Sequence, residues 1–141
     1  MARNSDDPVR GRRRGYSLLD AEGQARKSPD TFKIPSEKLR RGLMSIADSG
    51  KTVFAKVVFL PLDGSGGERM WLRLVGWRGG RMGDGGRYVG VLDNLPLNQA
   101  LGLSERDEVL FSPRHVIDVD TAKDEDGESL IQKIARAARS W

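Results

Sequence analysis

Three runs decide the architecture of this chain: KTVFAKVVFL at Lys51 to Leu60, RMWLRLVGW at Arg69 to Trp77, and RYVGVL at Arg87 to Leu92. In the first, Val53, Ala55, Val57 and Phe59 alternate with Phe54, Lys56, Val58 and Leu60. Successive side chains of a strand point to opposite faces, so both faces of this one are largely apolar, as in a central strand. In the second, Met70, Leu72 and Leu74 point one way, and Trp71, Arg73, Val75 and Trp77 the other. Leu62-Asp63-Gly64-Ser65-Gly66-Gly67 is a turn, and a glycine-rich loop, Arg78 to Gly86, joins the second run to the third. The three runs read as a meander of antiparallel hairpins.

On the N-terminal side, Ser36 is the N-cap of a helix that carries Leu39, Leu43 and Ile46 on one face. Gly50 closes it as the residue just past its end. Asp20 caps a shorter helix through Lys27, and Ser28-Pro29-Asp30 ends that one. Thr31 to Ile34 is extended because Pro35 disfavours helix before it. Tyr16 to Leu19 is an apolar patch that starts the fold.

On the C-terminal side, Asp93-Asn94 is a turn, Pro96 to Leu101 one turn of helix, and Leu103 to Asp107 another turn. Glu108 to Phe111 and His115 to Val119 read as short strands joined at Ser112-Pro113-Arg114. Thr121 to Gly127 reads as an acidic loop, and Ser129 to Trp141 as an amphipathic helix. The expected organisation is a disordered basic tail over 1–15, one domain over 16–120, and the acidic loop and helix over 121–141. The fold class is α+β: an antiparallel, strongly bent sheet or small open barrel with flanking helices.

Four strings of this chain resemble a known family. They are Thr31-Phe32-Lys33-Ile34-Pro35-Ser36, Gly67-Glu68-Arg69-Met70-Trp71-Leu72, Tyr88 to Pro96 (YVGVLDNLP), and Asp107 to Phe111 with His115-Val116-Ile117. In this order they are similar to the bacterial domain of unknown function 2314, the YegJ-like family. The resemblance spans 16–120 and implies a bacterial domain with no established biochemistry and no catalytic residue to carry over. Two departures stand out. The loop Gly79 to Gly86 is longer than that family's hairpin, and Ser104-Glu105-Arg106-Asp107 lacks the glycine that commonly precedes the aspartate. Leu101 to Val109 (LGLSERDEV) also resembles the swapped-hairpin DNA-binding proteins of the AbrB type, which implies an intertwined dimer.

Composition narrows the function. The chain has 141 residues, a formal net charge of +4 and no cysteine, so it holds no disulfide framework and no thiolate zinc site. The longest apolar run, Val57 to Leu60, falls far short of a membrane span. The first 15 residues carry Arg3, Arg10, Arg12, Arg13 and Arg14 but no apolar segment like that of a secretory signal, so the expected compartment is the cytoplasm. Those arginines, against Asp6 and Asp7, account for most of the net charge. His115 is the only histidine, with no nucleophile-elbow pattern to pair it, so no catalytic residue is assigned. Asp118-x-Asp120 begins like a calcium loop, but Ala122 and Lys123 break the pattern, so neither metal nor cofactor is expected. The glycines Gly80, Gly83 and Gly85 follow neither the dinucleotide nor the P-loop order.

Two readings from different classes follow. The first is a non-enzymatic binding or protein-interaction module. Its groove, walled by Trp71 with Asp93 and Asn94 on the rim, takes a protein or a small molecule. The second is a nucleic-acid-binding small barrel that uses Arg78, Arg81 and Arg87 beside Trp77 and Tyr88, together with the basic tail.

Overall fold

The computed structural model describes residues 15–79 and 86–123. The expected basic tail, save Gly15, the tip of the glycine-rich loop, the rest of the acidic segment and the C-terminal helix lie outside the described residues. The elements are β1 (Tyr16–Leu18), α1 (Ala21–Lys27), α2 (Glu37–Arg41), α3 (Leu43–Asp48), β2 (Lys51–Pro61), β3 (Glu68–Arg78), β4 (Arg87–Leu92), β5 (Glu108–Phe111) and β6 (Asp118–Lys123). Single 3₁₀ turns stand at Gln99–Leu101 and Pro113–His115.

All six strands form one antiparallel sheet in the order β1-β2-β3-β4-β5, with β6 also paired to β2. It curls into a nearly closed barrel with one seam, and with its helices it is the α+β architecture expected. β2 is its centre: β3 lies along one edge, and β1 and β6 share the other. Both faces of β2 are consequently buried. Val53, Ala55, Val57 and Phe59 enter the core with Met70, Leu72, Leu74, Tyr88 and Phe111, while Phe54 on the opposite face is only 1% exposed. β4 pairs β5 from Tyr88 with Phe111 to Val91 with Glu108 inside one chain, so these strands need no second copy to complete them.

The chain closes down tightly at Gly90. A β-carbon there would stand 2.8 Å from Leu72 Cβ and 3.0 Å from the Phe111 ring, so only glycine lets β3 and β5 fill the barrel at this level.

Four local expectations are corrected. The helix from Ser36 to Gly50 is two helices, α2 and α3, broken at Gly42, whose low helix propensity lets the chain turn Leu43 fully into the core while Leu39 stays at the surface. Ser36 is the N-cap, its hydroxyl accepting from the Leu39 N–H at 3.2 Å, and Gly50 ends α3 at φ +96°. A bulge at Val75 shifts the β3–β4 register between Leu74 and Gly76, so Trp77 pairs with Tyr88 and packs on the core, no longer sharing the face of Trp71. His115 to Val119 is not a strand: Pro113 fixes a 3₁₀ turn through His115, and the strand begins at Asp118. That strand runs to Lys123, so Thr121, Ala122 and Lys123, expected in the acidic loop, lie in β6 against Val53, Thr52 and Lys51.

The turn at 104–107 carries a non-glycine residue in a conformation that favours glycine. Arg106 sits at φ +76°, in the left-handed region that glycine occupies without strain. The Ser104 N–H donates to Asp107 Oδ2 at 2.8 Å, and the Arg106 N–H to the Leu92 carbonyl at 2.9 Å, which together hold the turn in place.

Candidate functional site

Trp71, Asp93 and Asn94 come together at the end of the β3–β4 ladder. Leu72 pairs with Leu92, and the next rung is carried by the turn: the Asp93 N–H donates to the Trp71 carbonyl at 3.0 Å. Asn94 Oδ1 accepts from the Trp71 N–H at 2.6 Å. The asparagine thus takes the place of a strand partner for the Trp71 backbone, a short-range role of the Asx kind. Both residues position Trp71 through its main chain and leave its indole to do something else.

That indole lies half-buried on the outer face of the sheet. Lys56, its cross-strand partner on β2, places Nζ 5.3 Å from the ring centroid, and on Lys56's other side stands Asp118 of β6. Such a cation–π pair is worth about 0.5–1 kcal/mol at a half-exposed site. Exposed Arg69 and Arg73 flank Trp71 along β3, and Val75, at the bulge, is 47% exposed. Arg73 faces Phe54 on one side and Val91 on the other, with Glu108 beyond. Charges of both signs therefore surround one aromatic.

The loop that follows Asn94 is held at both ends. Asn94 ties it to Trp71, and the Glu68 carboxylate accepts from the N–H groups of Leu97 at 2.9 Å and Asn98 at 3.2 Å. The Asn98 amide also donates to Ser65 Oγ at 2.9 Å, joining it to the β2–β3 turn. Between these anchors Leu95 and Leu97 face solvent, and Leu62 of the neighbouring turn does the same. These leucines went unremarked in the sequence reading. Their signal was available: two leucines flanking a proline inside a turn have no periodic partner to bury them.

Of the arginines assigned to nucleic acid, Arg78 and Arg87 share a rung across β3 and β4, while Arg81 lies outside the described residues. Arg87 also lines a cleft of about 300 Å³ with Arg41, Arg114, Glu22, Gly86 and Ser112. Neither Arg41 nor Arg114 was singled out from the sequence.

His115 is built into a local turn. Its Nδ1 accepts from the Ser112 N–H at 3.0 Å and closes the 3₁₀ turn. Burial, and then the neighbouring Arg114 guanidinium, push its pKa down to about 4, so the ring is neutral and structural near neutrality. Among the described residues, no three histidine, aspartate or glutamate side chains converge on a place for a metal ion. No helix among them is long and apolar enough to cross a membrane. Comparison with known proteins finds no matching family model, no matching curated protein and no matching solved structure.

Proposed function

We propose that this protein is a non-enzymatic interaction module that engages a protein partner through Trp71 and the pinned loop from Asn94 to Asn98. One observation carries the reading. The loop is fixed at both ends, to Trp71 through Asn94 and to Glu68 through Leu97 and Asn98, yet it turns Leu95 and Leu97 to water. Exposing large apolar side chains on ordered backbone costs stability, and a partner's surface is the usual return. Trp with Arg beside it is the composition of an interface hot spot, and the rigid backbone keeps the ordering cost of association low. The alternation of Lys56, Arg69 and Arg73 with Asp93, Asp118 and Glu108 suits a mixed protein surface better than a phosphate backbone, which the acids repel. The YegJ-like resemblance and a bacterial, cytoplasmic setting belong to the same reading.

The test is capture of a partner from native lysate by the full chain. Co-purification that survives high salt, and is lost both in Trp71→Ala and in a Leu95→Ser/Leu97→Ser double variant, is the expected result. Retention on RNA or heparin with steep salt dependence, lost when Arg78 and Arg87 are replaced, would establish the nucleic-acid reading in its place.

A further inference from the structure

Arg40 is the one charged residue of the described chain that is buried, at 6% exposure. Its guanidinium pairs with Glu22 of α1, and it donates to the carbonyls of Pro35 at 2.8 Å and Pro113 at 3.2 Å. Its own carbonyl accepts from the Tyr88 hydroxyl at 2.7 Å. One residue therefore ties α1, α2, β4 and the 3₁₀ turn at Pro113 to a common point.

Each tie has an arginine next to it in sequence. Arg41 follows Arg40, Arg87 precedes Tyr88, and Arg114 follows Pro113; all three line the 300 Å³ cleft. Arginines of three separate elements thus line one cleft, beside a buried polar knot that holds the backbone next to each of them. Glu22, the acid in the lining, is engaged by Arg40, and three arginines stand against this one acid among the lining residues. The pairing of Arg41 with Glu37, 3.7 Å apart and exposed, is the weak kind that solvent and salt largely screen.

We infer that Arg41, Arg87 and Arg114 form a binding site for a compact oxyanion of the phosphate-ester class. The site is separate from the Trp71 loop and does not rest on the protein-interaction reading. Guanidinium forks bind phosphate oxygens in pairs, and a tetrahedral group offers oxygens to forks arriving from three sides, which a planar carboxylate does not. The volume stands at the low end of ligand pockets, enough for a phosphate group with a small substituent and too small for a dinucleotide. Backbone preorganisation through Arg40 spares the ligand the cost of collecting the arginines.

Isothermal titration of the full chain with inorganic pyrophosphate tests this, with a thermal melt in parallel. Expected are saturable binding, a raised melting temperature, and an affinity at least tenfold lower in an Arg41→Gln/Arg114→Gln double variant whose unliganded melt is unchanged. Should that double variant not fold, Arg114→Gln alone, an exposed position, is expected to weaken binding severalfold. Trp71→Ala is expected to bind pyrophosphate as the wild type does. Three results each overturn the inference: no saturable binding, equal binding by the double variant, or malonate bound as tightly as pyrophosphate. So does binding of an RNA oligonucleotide without any binding of pyrophosphate.

Discussion

Arg40 and Trp71 occupy each other's expected places. A charged side chain with five donors is buried among helices and strand ends, while a tryptophan of β3 stands on the outer face. Both are anchored through hydrogen bonds, but with opposite results. Arg40 is used inside the protein: its guanidinium by Glu22, Pro35 and Pro113, its carbonyl by Tyr88. At Trp71 the backbone is held by Asp93 and Asn94, and the half-buried ring, with Lys56 over it, stays on the outer face. The difference teaches that residue type is a poor guide to role. What separates scaffold from surface is whether the fold consumes a side chain's chemistry or merely aims it.

The contrast breaks most readily at Arg40. Arg40→Ala strands the Glu22 carboxylate in a largely buried place and should cost about 3–5 kcal/mol in urea unfolding, whereas Arg40→Met with Glu22→Gln should recover much of that loss. A cost below about 1 kcal/mol would make Arg40 one more surface cation.

The next largest effect is one of pH. The His115 pKa in the fold, about 4, lies below its ordinary 6.5, so the unfolded chain takes up the proton first as the pH falls. Stability from the neutral ring is complete above about pH 6.5 and drains away toward pH 4, by up to about 3 kcal/mol, where it levels off. Arg114 and Arg87 oppose protonation, and Asp20 and Glu22 favour it. His115→Gln removes the titrating group, so its denaturation curves should lack this part of the slope between pH 7 and pH 4.

Trp71→Ala sharpens the comparison from the other side. Because the indole is half-buried on an outer face, the substitution should cost only about 1–1.5 kcal/mol of stability while abolishing partner capture. A loss as large as that at Arg40 would place Trp71 in the scaffold. The smallest effect concerns the left-handed Arg106: Arg106→Gly relieves the strain but adds backbone entropy to the unfolded chain, for a net gain of about 0.5 kcal/mol read as a slightly higher urea midpoint.

The sheet was legible because its signals are local. Alternation in Val53 to Phe59 and in Met70 to Leu74 requires no knowledge of partners, and neither do the caps at Asp20 and Ser36. Asp93 and Asn94 were readable as a turn beside Trp71 for the same reason. The bulge at Val75 was not, because an extra residue in a strand leaves the composition unchanged while it turns Trp77 to the other face. His115 to Val119 has the β-branched residues of a strand, yet the turn imposed by Pro113 and the ring's bond to Ser112 prevail over propensity. The arginine cleft was invisible for a deeper reason. Arg41, Arg87 and Arg114 are far apart in sequence and meet only through the contacts of Arg40, whose burial no helical pattern announces.

The edge of β2 shared by β1 and β6 bears on how the chain assembles. β1 covers Phe59 to Pro61 and β6 covers Lys51 to Lys56, end to end, so one flank of the central strand is laid down in two pieces from distant parts of the sequence. The hairpins β2–β3 and β3–β4 close short loops and are suited to form early, but neither piece of that flank gains anything until β2 is already in place. The seam between Leu19 and Ile117, which reach the carbonyls of Val58 and Lys56, is therefore the last stretch to knit and the first whose amides should exchange with solvent.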